Sequence, residues 1–169
     1  MPIDWNSQWV TFLFTLIATG VGVFLALLFE DKRKKNEERA HAKRFLHLLK
    51  HEIKKNEEHL RELSTELNTQ VPFYGLRFVV WNSINPDITK ILKEFGIMKD
   101  VADFYFYLSV LQRMLDAYFS SWIIGKNKEK KELADKMLIR IGWIFQGDET
   151  KCKSPQTLIS EIDCLIKHY

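Results

Sequence analysis

The sequence predicts an all-α protein: an N-terminal transmembrane helix continuing into a long charged helix, followed by a cytoplasmic helical bundle. Three observations carry this. Chain breakers are scarce, with 7 Gly and 4 Pro in 169 residues, which favours long helices. Trp9 to Phe29 is a run of 21 residues without a charge. Beyond the charged residues that follow it, apolar residues recur with the 3-4 spacing of a helix stripe. The natural divisions are 1–29 (membrane segment), 30–70 (charged juxtamembrane helix) and 71–169 (cytoplasmic helical domain).

At 1.5 Å per residue the uncharged run spans about 31 Å, the thickness of a bilayer's hydrocarbon core. Thirteen of its residues are Leu, Ile, Val or Phe, and each favours insertion by roughly 0.3–0.6 kcal/mol. Trp5 and Trp9 suit the outer interface. A cleaved signal peptide needs a basic leader, and residues 1–8 contain no Lys or Arg; a buried core helix is the remaining alternative. Orientation follows from the flanks. Residues 1–8 carry only Asp4, whereas residues 32–44 carry Lys32, Arg33, Lys34, Lys35, Arg39, Lys43 and Arg44 against Glu37 and Glu38. Basic flanks stay inside, so the expectation is a single-pass inner-membrane protein, N-terminus outside and C-terminal domain cytoplasmic. Lys32, Arg33, Lys34 and Lys35 are then placed to meet lipid headgroups.

Within the run, Ala18, Gly22 and Ala26 follow at i, i+4, i+8. Small side chains at that spacing let two helix backbones approach, so this face is the candidate for helix pairing in the membrane. Thr11, Thr15 and Thr19 form a neighbouring stripe able to bond across such an interface or back to its own carbonyls.

No Gly or Pro occurs between Gly22 and Pro72, so one helix is expected to run on to about Asn68, reaching about 60 Å beyond the membrane. Leu46, Leu49, Ile53, Asn56, Leu60, Leu63 and Leu67 make a heptad seam, widened by Phe45 and Leu48. The seam either pairs with another chain, Asn56 then fixing register, or packs on the protein's own later helices with Asn56 near an edge. His47 and His51 stand four apart but fall at outward positions and lack further ligands. Nucleic-acid binding is not expected, because Glu37, Glu38, Glu52, Glu57 and Glu58 interrupt the basic face.

The remainder reads as shorter helices. Pro72 to Ile84 is one, although "FVVW" also fits a strand. Asn85-Pro86 opens another that ends near Phe95, with Gly96 as its stop. Asp100 caps a long apolar helix ending at Gly125, in which Arg113 and Asp116 are spaced for a local ion pair. Phe104, Tyr105, Tyr107, Tyr118, Phe119 and Trp122 within it read as core, with a ligand or lipid pocket as the alternative. A further amphipathic helix stops at Gly147, and Ser154-Pro155 opens the last, which runs nearly to Tyr169. Cys152 and Cys164 read as reduced thiols.

The pattern Leu49-Glu52-Ile53-Asn56-Leu60, followed by Trp81 and by Tyr105 to Leu108, resembles that of small prokaryotic single-pass membrane proteins of uncharacterised function with a cytoplasmic helical domain. The resemblance implies a bacterial or archaeal inner membrane and no particular activity. No cofactor is expected, and no triad, phosphate loop or metal spacing points to catalysis. The sequence favours a membrane-anchored interaction or assembly module. Its partners would be membrane lipids, further copies of itself (a homo-oligomer) and an unidentified protein. The alternative is a membrane effector or sensor whose cytoplasmic helices detect a partner and whose spans cluster or perturb the bilayer.

Overall fold

The structure, a computed structural model, describes residues 5–67, 75–84, 88, 89, 92, 96–147 and 152–168. These residues form five helices and no strand: α1 (Trp5–Glu66), α2 (Val79–Asn82), α3 (Met98–Ile124), α4 (Asn127–Gln146) and α5 (Pro155–His168). The chain divides into two compact units, residues 1–41 and 42–169, and α1 contributes residues to both.

In the first unit α1 is the only described element, and every residue from Thr11 to His41 is exposed. Local bonds run along it. Thr15 Oγ1 donates to the Thr11 carbonyl at 2.9 Å and Thr19 Oγ1 to the Thr15 carbonyl at 2.8 Å, so this stripe bonds back to its own helix. Glu30 with Lys34 and Arg33 with Glu37 are i, i+4 ion pairs at 3.1 and 3.4 Å, each worth a few tenths of a kcal/mol.

The second unit has a contiguous core. Leu46, Leu49, Ile53, Leu60, Leu63 and Leu67 of the seam lie buried against Phe104, Leu108 and Leu111 of α3, Met137, Ile141 and Ile144 of α4, and Leu158, Ile162 and Leu165 of α5. Tyr105 of α3 meets Glu52 of α1, and Tyr118 meets Leu67, so α1 and α3 run in the same direction. Lys50 meets Asp163, and Glu57 meets Gln156, so α5 runs antiparallel to α1. Arg61 lies 4.9 Å over the ring of Phe145 of α4, and Lys153 joins Asp100 (2.9 Å) to Glu161 (2.5 Å).

The helix stops fall where the glycines stand. Gly125 adopts φ 77°, and the Lys126 N–H donates to the Ser121 carbonyl at 2.9 Å, closing the last turn of α3. A left-handed residue at this place favours Gly. At Gly147 (φ 68°) an added Cβ would stand 2.9 Å from the Ser154 nitrogen, so the approach of α5's leading strand of chain also requires Gly.

Four sequence expectations are corrected. The described part of 72–84 is mostly non-helical: Gly75 to Phe78 are irregular and only Val79–Asn82 is helix. α3 begins at Met98 with Ile97 as its cap, and Asp100 lies inside its first turn. Arg113 and Asp116 do not pair; Arg113 Nε donates to the Ser109 carbonyl and Asp116 accepts from Gln112, each partner four residues away on the same helix. Phe45 widens the buried stripe but Leu48 is exposed, because it points away from α3 to α5. The helix expected from Pro86 to Phe95 lies largely outside the described residues; within it Ile88 and Leu92 are buried.

Candidate functional site

Two places in the molecule carry more than packing. In the first unit, Ala18, Gly22 and Ala26 lie on one exposed stripe of α1. A Cβ added at Gly22 would meet nothing within 4 Å. The stripe is a shallow groove flanked by Ile17, Val21 and Leu25, all exposed. Trp9 packs edge-on against Phe12 at 6.1 Å near its start. Lys32, Arg33, Lys34 and Lys35 are exposed; Arg33 and Lys34 join the ion pairs above, whereas Lys32 and Lys35 make none among the described residues.

The second place is a buried polar clamp on α1. Glu52 is only 4% exposed and Asn56 is fully buried, one turn further on. Glu52 Oε2 accepts the Val80 N–H at 2.8 Å; Oε1 accepts the Trp81 N–H at 3.1 Å and the Tyr105 hydroxyl at 2.7 Å. Asn56 Oδ1 accepts the Arg77 N–H at 2.7 Å, and its Nδ2 donates to the Arg77 carbonyl at 2.8 Å. The two side chains therefore grip the 77–81 backbone in consecutive turns. α2 has no cap of its own, since Phe78 supplies no side-chain acceptor. A helix start leaves its first N–H groups without partners, and the Glu52 carboxylate supplies the missing acceptor from another element. Trp81 stacks on Tyr105 with 4.8 Å between ring centres and planes 6° apart, and Gln112 Oε1 of α3 accepts the Leu76 N–H at 2.9 Å. Burial, then the bond to Glu52, pushes the Tyr105 hydroxyl well above the usual tyrosine range.

Chemically this is a structural device. Both carboxylate oxygens of Glu52 face donors, and the clamp fixes an irregular segment that makes little regular structure itself. The seam residues are thus used within one chain. Asn56 sits at the centre of the seam rather than at an edge, and its amide is taken up by Arg77 backbone. His47 and His51 are exposed. Among the described residues no group of three or more His, Cys, Asp or Glu side chains is disposed to hold a metal ion. Cys152 is buried and Cys164 exposed, and the two are not joined in a disulfide. Phe104, Tyr105 and Tyr118 are core residues, Tyr107 and Phe119 are half-buried against it, and Trp122 is exposed.

Glu52 is the functional-looking residue that reading by periodicity assigns to solvent. Two signals pointed to it. Phe45, one heptad earlier in the same column, is apolar and buried. The resemblance pattern also named Glu52, Asn56, Trp81 and Tyr105 together, and these four meet in the clamp. Neither family models, curated protein sequences nor solved structures give a match to this chain.

Proposed function

We propose that the protein is a non-catalytic, membrane-anchored interaction or assembly module that self-associates through its N-terminal span. In this reading residues 9–29 cross a prokaryotic inner membrane with the N-terminus outside, Lys32 to Lys35 meet headgroups, and residues 42–169 present a rigid helical domain to the cytoplasm. The observation that carries it is the exposure of Phe, Leu, Ile and Val on every face of α1 from Phe12 to Phe29. A soluble protein does not leave such a helix uncovered, whereas a helix apolar all round suits a bilayer.

Association in lipid has little hydrophobic drive, so close van der Waals contact must supply it, and the Ala18/Gly22/Ala26 groove offers that contact. Gly22→Leu fills the groove without a clash inside the monomer, because a Cβ there meets open space. Insertion should be unimpaired, since Leu favours hydrocarbon at least as well as Gly. In a genetic helix-association assay Gly22→Leu should lower self-association about tenfold, the loss of roughly 1–2 kcal/mol of helix contact, while Val21→Leu beside the groove should not. Equal association of parent and both variants would assign pairing to another surface.

A further inference from the structure

The core takes one side of α3, from Val101 to Tyr118 through Phe104, Leu108, Leu111 and Leu115. Asp103, Phe106, Val110 and Arg113 follow one another at 3-4-3 spacing, which sets them within about 80° of arc on the opposite side of the helix. Phe106 is 58% exposed, its ring edge-on to Tyr107 at 5.7 Å. Asp103 and Val110 are half-buried and Arg113 is exposed. Among the described residues neither Asp103 nor Arg113 makes an ion pair; Arg113 has only its long bond, 3.4 Å, to the Ser109 carbonyl. Ser109 beside them is small, and its hydroxyl donates to the Phe106 carbonyl at 2.7 Å. The face is therefore two apolar side chains bracketed by opposite charges, about 15 Å apart along the axis.

We infer that this outward face of α3 is a contact surface for a second copy of the chain, docked antiparallel about a two-fold axis near Leu108. In such an interface residue i meets j and j meets i. Asp103 then faces Arg113 of the second copy and Arg113 faces its Asp103, while Phe106 lies against Val110 and Val110 against Phe106. The flanking rows bring no like charges together: Lys99 meets Ala117, and Asp116 meets Ala102. Charge also selects this arrangement over its rivals. Parallel docking would set Asp103 against Asp103 and Arg113 against Arg113. A slip of one heptad would leave Asp103 opposite Ser120 and Arg113 opposite Val110. The patch is thus complementary to itself, and that selects a second copy over an unrelated protein. It is small beside the roughly 20–30 residues a side of a standard interface, so the contact is weak and forms where copies are concentrated.

The inference concerns residues 42–169 alone and stands apart from pairing through the span. The test therefore uses full-length chains carrying Gly22→Leu, in detergent with micelles in excess. Two preparations bearing different affinity tags are mixed at rising concentration, and capture of one by the other is measured. The expected result is saturable capture. Asp103→Arg in both preparations should weaken it about tenfold, and so should Arg113→Asp in both, because each substitution turns two symmetric attractions into repulsions. One preparation with Asp103→Arg mixed with one carrying Arg113→Asp should recover capture, since every Arg of the first then faces an Asp of the second. That recovery also separates a lost contact from a lost fold. Absence of capture by the Gly22→Leu chains would overturn the inference. So would capture indifferent to both charge reversals, or a loss in both that mixing does not restore. None of these outcomes touches the comparison of Gly22→Leu with Val21→Leu, by which the span reading stands or falls.

Discussion

Residues 12–29 and residues 42–66 belong to one helix, α1, and both are rich in large apolar side chains. In the first stretch they point outward in every direction; in the second they are gathered on one buried stripe. The difference lies in pattern rather than content. Hydrocarbon on all sides of a helix cannot be buried by one neighbour, so it needs a surrounding apolar solvent; a stripe needs only a packed layer of other helices. Correspondingly, the first stretch is held by bonds within four residues. The second is held also by contacts from distant positions, such as Glu52 with Tyr105, 53 residues on, and Lys50 with Asp163, 113 residues on. The stability of the two stretches should therefore answer to different perturbations.

The largest break between them should come from Glu52→Ala. It leaves the Val80 and Trp81 N–H groups and the Tyr105 hydroxyl without their acceptor, and an unsatisfied buried donor costs roughly 1–3 kcal/mol. The 42–169 unit should lose about 3–5 kcal/mol, allowing for partial relaxation around the vacated site. Denaturant unfolding in micelles, followed by near-ultraviolet circular dichroism, reads this loss; the helix signal from the N-terminal stretch should remain. Glu52→Gln keeps the volume but turns an NH2 toward one of three donors, so it should recover only part of the loss. Full recovery by Gln would mean that the carboxylate is not needed as a double acceptor.

Asn56→Leu tests the same comparison by sign. An Asn inside an intermolecular seam costs stability in exchange for register, so replacing it with Leu would stabilise the oligomer. Here the Asn56 amide satisfies both the N–H and the carbonyl of Arg77. Leu should therefore destabilise the 42–169 unit by about 1–3 kcal/mol, and the oligomer number measured by sedimentation should not change. A rise in the unfolding midpoint would reassign the seam to contacts between chains.

These two residues also mark where the sequence stopped being readable. The uncharged run, the seam and the stops at Gly125 and Gly147 are local signals, set by a run length, a 3-4 spacing or one residue's backbone freedom. The stops appear in the structure where they were expected, at Gly125 and Gly147. The clamp is not local. Periodicity sends an acidic residue beside a heptad seam to solvent, and only the irregular backbone of residues 77–81, brought from another part of the chain, turns Glu52 inward. The same absence of local information explains the expected helix at 72–84. "FVVW" is ambiguous by pattern, and its conformation is decided by acceptors on α1 and by Gln112 on α3. Arg113 and Asp116 were legible as neighbours, but each had a closer partner within its own helix. Trp122 fails for another reason: an aromatic stripe predicts core only as far as there is a layer to cover it, and α3 runs past the end of that layer.

The smallest effect, and the one that separates the two stretches most cleanly, is a response to alkali. The Tyr105 hydroxyl is raised above the usual range, first by burial and then by its bond to Glu52. Unfolded tyrosine ionises near pH 10, so above that pH the unfolded chain releases a proton that the folded one keeps. The stabilisation is fully present below about pH 10 and declines as pH rises beyond it, by up to about 1.4 kcal/mol per pH unit for this group. Tyr118, raised by burial, and Lys153, raised by its bonds to Glu161 and Asp100, act in the same direction. Residues 9–29 contain no titratable side chain and contribute nothing. Tyr105→Phe keeps the ring stacked on Trp81 and removes only the hydroxyl. It should cost about 1 kcal/mol at neutral pH and flatten the decline above pH 10 by one proton's share, as read from unfolding midpoints across a pH series. An unchanged alkaline slope would mean that Tyr105 ionises in the folded protein as it does in the unfolded one, and that its hydroxyl is not sealed against Glu52. A slope that persists at full strength in Tyr105→Phe but falls in Tyr118→Phe would move the effect to the end of α1 at Leu67, where the second tyrosine closes the helix.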